Sequence, residues 1–142
     1  MKTLIVIFVV ILFAGCADAQ KIKEDKVPVP AVSALHKLYP DLKDYDWYNE
    51  DGNYEAEYEL SGMEAAVTFD VNGNVVETEK EIPVNSLPAS VTEYISKNYS
   101  GAKIKEATEI TDAKGAKMYE AEIKGKDVVF DANGNFVKEE KD

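Results

Sequence analysis

The 142-residue chain has no arginine, a single cysteine, Cys16, and a single histidine, His36. With 16 basic residues against 27 acidic ones, its formal net charge is −11. Nucleic acids and anionic membrane surfaces are recognised through a basic footprint that displaces counterions. No basic stripe exists here, so both are excluded as direct partners, and the only route to a membrane is a lipid anchor at Cys16. A lone histidine, without a second histidine or a serine-histidine-acid spacing, supports neither a metal centre nor a nucleophilic triad. His36 therefore reads as a residue on the flank of a helix.

Long apolar runs are scarce as well. The one near the start, residues 4–14, follows Lys2 and is too short to anchor a chain in a bilayer, but it has the charged-then-hydrophobic order of a secretory signal. Two processing sites compete after it. Ala17-Asp18-Ala19 before Gln20 suits ordinary signal peptidase and is the favoured site. Phe13-Ala14-Gly15-Cys16 resembles a lipobox, with phenylalanine where leucine is usual. Either site exports the protein, and either removes Cys16 or caps it with lipid. The mature domain then has no thiol and no disulfide.

What the chain does have is internal duplication. Tyr54-Glu55-Ala56-Glu57-Tyr58 recurs as Tyr119-Glu120-Ala121-Glu122-Ile123, and Phe69-Asp70-Val71-Asn72-Gly73-Asn74 as Phe130-Asp131-Ala132-Asn133-Gly134-Asn135. Val27-Pro28 matches Leu87-Pro88, and Leu35, Lys37 and Tyr39 match Ile95, Lys97 and Tyr99. The spacing implies two units of about 60 residues. Each begins with a proline and apolar residues at helical spacing: Val32, Leu35 and Tyr39 in one, Val91, Ile95 and Tyr99 in the other. The period then changes to two, with Asp51-Gly52, Ser61-Gly62 and Asn72-Gly73 as hairpin turns.

These turns fix a register. They set Trp47 against Ala56, Tyr45 against Tyr58, Tyr58 against Ala65, Ala56 against Val67 and Tyr54 against Phe69, with Phe69 then facing Val76 and Val67 facing Thr78. In the second unit Ala121 faces Val128, Tyr119 faces Phe130, and Phe130 faces Val137. The expected fold is α+β: a tandem repeat of one helix followed by a four-stranded antiparallel meander, with the helix packed on one sheet face. Residues 1–19 are then a signal peptide, 20–26 a linker, 27–82 the first repeat and 83–142 the second.

No catalytic residue, cofactor or metal site is expected. Asp70-x-Asn72-x-Asn74 and Asp131-x-Asn133-x-Asn135 imitate the start of a calcium loop, but Val75 and Phe136 occupy the sixth position, which needs glycine. Both read as hairpin turns. The outward strand face collects Asp46, Glu55, Glu57, Glu59, Glu64, Glu77 and Glu79, which are expected to be solvated and ionised. Among them Tyr48, Val75, Val129 and Phe136 are expected to point outward. With Glu55 and Glu57 they form a candidate surface for a protein partner, one of cationic character given the charge.

The helix with its Tyr39-Pro40 exit, Trp47 on the first strand, the run from Glu50 to Tyr58, and Val67-Thr68-Phe69-Asp70-x-Asn72-Gly73-Asn74 with Glu77 following resemble the PepSY-like, β-lactamase-inhibitor-like family of exported bacterial proteins. The resemblance spans residues 27–140 in two copies. It implies helix-plus-sheet repeats, export to the periplasm or cell surface, and binding or inhibition of other proteins, and it brings no catalytic residues. The leading expectation is an exported, non-enzymatic protein-binding module, with inhibition of an envelope or extracellular protein as its action. The alternatives are a structural or stress-associated envelope protein without a discrete ligand, and a weak cation-binding acidic protein.

Overall fold

The computed structural model describes residues 19–141; Cys16 and residues 1–18 of the expected signal peptide lie outside them. Proline, with its fixed φ and missing N–H, suits the start of a helix, and it heads both helices. Helix α1, Val29–Leu38, follows Pro28, and α2, Ala89–Asn98, follows Pro88. Each helix buries one side, Ala31 and Leu35 in α1 and Val91 and Ile95 in α2. Ala31 thus takes the central position expected of Val32, which packs at the margin of the core. The Tyr39 and Tyr99 N–H groups donate to the Leu35 and Ile95 carbonyls at 2.8 and 2.9 Å, and Pro40 and Gly101 follow them to end each helix.

The remaining chain forms nine strands: β1 Gln20–Ile22, β2 Tyr45–Glu50, β3 Asn53–Leu60, β4 Met63–Phe69, β5 Val75–Ile82, β6 Glu106–Asp112, β7 Lys117–Ile123, β8 Lys126–Asp131 and β9 Phe136–Lys141. All nine hydrogen-bond in sequence order into one antiparallel sheet. This corrects the expected α+β repeat of a helix and its own four-stranded meander. The architecture is a single nine-stranded sheet with two short helices on one face. Its decisive feature is the pairing of β5 with β6, from Glu77 opposite Asp112 to Ile82 opposite Ala107. Two separate meanders would each leave a long strand edge with unpaired N–H and C=O groups, and joining them removes both edges. The segment 20–26, read as a linker, contributes β1, paired to β2, and a 3₁₀ turn at Glu24–Lys26.

The hairpin registers lie as the turns dictate at Trp47–Ala56, Tyr45–Tyr58, Tyr58–Ala65, Ala56–Val67, Tyr54–Phe69 and Val67–Thr78. In the second half Ala121–Val128 and Tyr119–Phe130 also hold. Two expected pairs do not. Phe69 faces Val75 rather than Val76, and Phe130 faces Phe136 rather than Val137, because the ladder shifts between Thr68 and Phe69 and again between Val129 and Phe130. Each irregularity adds one residue to a strand, reverses the facing beyond it and sharpens the local bend.

Under α1 lie Trp47, Ala56, Val67 and Phe69; under α2 lie Ala107, Ala121, Val128 and Phe130. The two Asn-Gly turns pin the helices down. A Cβ on Gly73 would stand 2.5 Å from the Pro30 carbonyl oxygen, and one on Gly134 would stand 1.9 Å from Ser90 Oγ. Only glycine permits that approach at φ near +80°. Asp70 Oδ1 accepts the Asn72 and Asn74 N–H groups at 2.8 and 2.9 Å, and Asp131 Oδ1 does the same for Asn133 and Asn135. These aspartates hold their own turns, which is the local chemistry of an Asx turn.

Candidate functional site

Alternate residues of the same strands face away from the helices, and the register arranges them in rows. One row runs Tyr48, Glu55, Thr68, Glu77, Asp112; the next runs Asp46, Glu57, Ala66, Glu79, Ile110, Met118; a third ends Thr108, Glu120, Val129, Lys138. Among the described residues no helix covers these rows. Several of their members are buried all the same: Glu55 is 1% exposed, Thr68 2%, Glu77 7%, and Ala66, Ile110 and Val129 are at most 1%. Burial without a cover requires neighbouring strands to fold their side chains toward one another, so the face is concave. The bulges at Thr68/Phe69 and Val129/Phe130 supply bending of that kind.

The carboxyls raised furthest lie on a diagonal, one row per two strands, from Glu55 on β3 to Glu79 on β5 to Glu120 on β7. In a flat sheet β3 and β7 would stand about 19 Å apart, at four strand spacings. Here Glu79 lies in the field of both Glu55 and Glu120. Burial pushes the Glu55 carboxyl up to about 8, helped by the charges of Glu57 and Glu50. It pushes Glu120 up to about 8, helped by Asp127 and Glu140 and opposed by Lys138. Glu79 is held well above the usual carboxylate range by burial and then by Glu55, Glu77 and Glu120. Nearer the edge Glu50 is raised to about 7, again chiefly by burial. The expectation that the outward glutamates are solvated and ionised is therefore corrected for Glu55, Glu57, Glu77 and Glu79, whereas Glu59 is exposed as expected. In a desolvated, like-charged cluster the neutral acid is the favoured form.

Hydrogen bonding in the cluster is sparse. Thr68 Oγ1 donates to Glu55 Oε2 at a long 3.4 Å. Glu55 and Glu57 share a hydrogen bond, as do Glu77 and Glu79, while Glu120 Oε2 is buried without a partner. Cations stay at the margins: Lys21 pairs with Asp46 at 2.7 Å, Lys105 with Glu122 at 2.8 Å and Lys138 with Glu140 at 2.5 Å. Among the described residues no three carboxylates, histidines or cysteines are placed to hold a metal ion.

The expected partner-binding residues divide between the two faces. Tyr48, Glu55 and Glu57 lie together on the uncovered face, where Tyr48 and Glu57 share a hydrogen bond. Val129 is on this face too, but fully buried against Ile110 with Met118 beside them. Val75 and Phe136 are on the helix side, turned there by the two register shifts. Val75 packs against the core under α1, and Phe136 stacks on Tyr94 of α2 at 5.0 Å and 10°. Their outward placement is thus corrected. Glu120 and Asp127 were not singled out in the sequence, although the match of Tyr119-Glu120-Ala121-Glu122 to Tyr54-Glu55-Ala56-Glu57 places Glu120 where Glu55 stands. His36 flanks α1 with its Nε2 3.3 Å from the Tyr45 hydroxyl, and that hydroxyl donates to Glu24 at 2.6 Å.

No curated protein matches the chain. Solved structures do. A Bacteroides eggerthii protein described as "putative periplasmic" shares 16% identity over 81% of this chain and 88% of its own, with a TM-score of 0.73. A DUF2874 family protein from Bacteroides uniformis shares 20% identity over 81% and 89%, with a TM-score of 0.71. A BLIP-like protein from Bacteroides fragilis shares 26% identity over 79% and 84%, with a TM-score of 0.62. The first two establish likeness of fold alone. The family described as "Putative beta-lactamase-inhibitor-like, PepSY-like" matches residues 44–138, from the foot of β2 into β9 and across both halves of the sheet. The chain belongs to that PepSY-like family.

Proposed function

We propose that the protein is an exported module that binds another envelope or extracellular protein through the uncovered, concave face of its sheet and catalyses no reaction. The observation that carries this reading is the uncovered face itself: buried carboxyls, with Glu120 Oε2 left without a partner, stand beside Ala66, Ile110 and Val129, with half-buried Tyr48 and Met118 at the rim. Polar groups left unpaired on a concave surface are stabilised when a ligand supplies their partners, and aromatic or Met contacts beside them add apolar area. Buried carboxylates also serve enzymes. Here Glu79 pairs across the strands with Ala66 and Ile110, and Glu120 with Val129, which favours recognition over chemistry.

The signal-like segment at residues 4–14 and the "putative periplasmic" description of the B. eggerthii neighbour support an exported location. The family description and the BLIP-like description of the B. fragilis neighbour support inhibition as the consequence of binding. The test starts with affinity capture from the native envelope and continues with the purified partner. Tyr48→Ala and Met118→Ala should each weaken binary binding at least tenfold, while Val29→Ser, on the exposed side of α1, should leave it unchanged. Absence of a specific partner, or loss of binding with Val29→Ser alone, would replace this reading with that of a structural envelope protein.

A further inference from the structure

We propose that Gln20 is a modification site: once the leader is removed after Ala19, the Gln20 α-amino nitrogen closes on its own side-chain amide, and the mature chain begins with pyroglutamate. The inference is independent of what the concave face binds. Two separate readings meet at this residue. In the sequence, Ala17-Asp18-Ala19 before Gln20 is the favoured peptidase site. In the structure, β1 begins at Gln20 itself.

The internal duplication shows what β1 is. Val27-Pro28 matches Leu87-Pro88, so Ile22 stands where Ile82 stands in the second half, and each leads into a 3₁₀ turn, Glu24–Lys26 or Val84–Ser86. β5 pairs with β6 from Glu77 to Ile82, whereas β1 pairs with β2 only from Gln20 to Ile22. β1 is therefore the end of the strand that β5 supplies at greater length, and its first position is the residue that cleavage would expose.

That position suits the product. The five-membered lactam locks rotation about the N–Cα bond as a proline ring does, and such a ring is tolerated at the first residue of a strand and on a sheet edge. Gln20 is both, since β1 is the outermost strand. Its side chain is exposed, which leaves it room to turn back on its own nitrogen. The strand is held by the residues that follow: Lys21 pairs with Asp46 at 2.7 Å, and Ile22 packs against the core under α1.

The step balances without a co-reactant. The neutral amine attacks Cδ of the side-chain amide, the ring N–C bond forms, the bond from Cδ to the amide nitrogen breaks, and one amine proton leaves on the ammonia released. An α-amino group titrates at about 8, so near neutral pH a fraction of it is uncharged and nucleophilic. The product carries no charge at the strand end and offers no free amine to an aminopeptidase.

The test is mass spectrometry of the chain purified from its native envelope. A glutamate-specific protease releases residues 20–24, a peptide without asparagine, so its only internal route to loss of ammonia is through Gln20. The expected result is that this peptide is lighter by one ammonia in most chains, resists Edman degradation, and sequences from Lys21 after treatment with pyroglutamyl peptidase. Gln20→Asn, whose lactam would need a four-membered ring, should keep a free amine and focus at a higher isoelectric point by one charge. A free Gln20 amine in most chains would overturn the proposal. So would a mature chain that starts elsewhere, a lipid-bearing Cys16 included, because the Gln20 nitrogen would then be held in a peptide bond or lost.

Discussion

The two faces of the sheet are built from alternate residues of the same strands, yet they reach burial by different means. Under the helices Trp47, Val67, Phe69, Val128 and Phe130 are excluded from water by a second layer, α1 or α2. On the other face Glu55, Thr68, Glu77 and Val129 are excluded by the sheet's own curvature. A covering layer buries hydrocarbon, which is favourable at about 25 cal/mol per Å². Curvature buries whatever the alternation placed there, and on this face the alternation placed carboxyls. The first arrangement stabilises the fold. The second buries carboxyls on a face that no helix covers among the described residues, and their burial opposes stability unless protons or a cation neutralise them.

The largest effect should come from the covered face. Truncating Trp47 or Phe69 to alanine removes a fully packed aromatic that touches its neighbour at a 6.2 Å centroid separation, and each should cost about 3 to 5 kcal/mol in denaturant unfolding. Equal loss from Phe136→Ala, 40% exposed at the end of the aromatic stack, would blur the contrast between covered core and margin.

Next in size is the pH dependence set by the uncovered face. Glu55 and Glu120 titrate in the folded protein at about 8, against an ordinary value of 4.5. Between these values the folded state binds more protons than the unfolded one, so stability is fully present below about pH 4.5 and is lost as pH rises through 8. Asp70 and Asp131, held below their usual range by Asn74 and Asn135, work oppositely and weaken the fold only as pH falls below the ordinary 3.8. Thermal unfolding should therefore show greatest stability near pH 5 and a decline on the order of a few kcal/mol by pH 9. A flat profile from pH 5 to 9 would mean that these carboxyls are open to water.

A smaller, more local effect isolates one carboxyl. At pH 5 Glu120 is protonated and Glu120→Gln, of nearly the same shape, should change stability by less than about 0.5 kcal/mol. At pH 9 the parent carries a buried charge beside Asp127 and Glu140, and the glutamine variant should be more stable by about 1 to 2 kcal/mol. Destabilisation at pH 9 would assign Glu120 a cationic partner inside the folded chain.

The covered face was largely legible in the sequence, because paired turns fix register and the apolar residues of each strand fall on one side once register is known. Trp47, Ala56, Val67 and Phe69 came out together for that reason. Two things escaped. The register shifts beside Phe69 and Phe130 leave no distinct residue signature, so Val75 and Phe136 were assigned to the wrong face. Curvature is likewise a property of the assembled sheet. Nothing local to Tyr54-Glu55-Ala56-Glu57 distinguishes a glutamate in water from one folded into a concave surface, and the joining of β5 to β6, which makes the face wide enough to curl, depends on a pairing with α2 intervening in the chain.

The smallest predicted effect is also the sharpest contrast within one strand. Glu57 and Glu59 sit two residues apart on β3 and face the same way, Glu59 exposed opposite Glu64 and Glu57 half-buried opposite Ala66. Glu57 accepts the Tyr48 hydroxyl and stands beside the carboxyl diagonal. Losing that acceptor should leave Tyr48 without a partner, so Glu57→Ala should cost about 1 kcal/mol at pH 7. Glu59→Ala removes a carboxylate from a directly opposed like-charged pair in water, and the change should lie within about 0.5 kcal/mol, on the stabilising side. Denaturant midpoints for the two variants at matched ionic strength decide the matter. If Glu57 proves as indifferent as Glu59, the concavity ends before the Tyr48 rim, and the proposed binding surface is confined to the centre of the sheet.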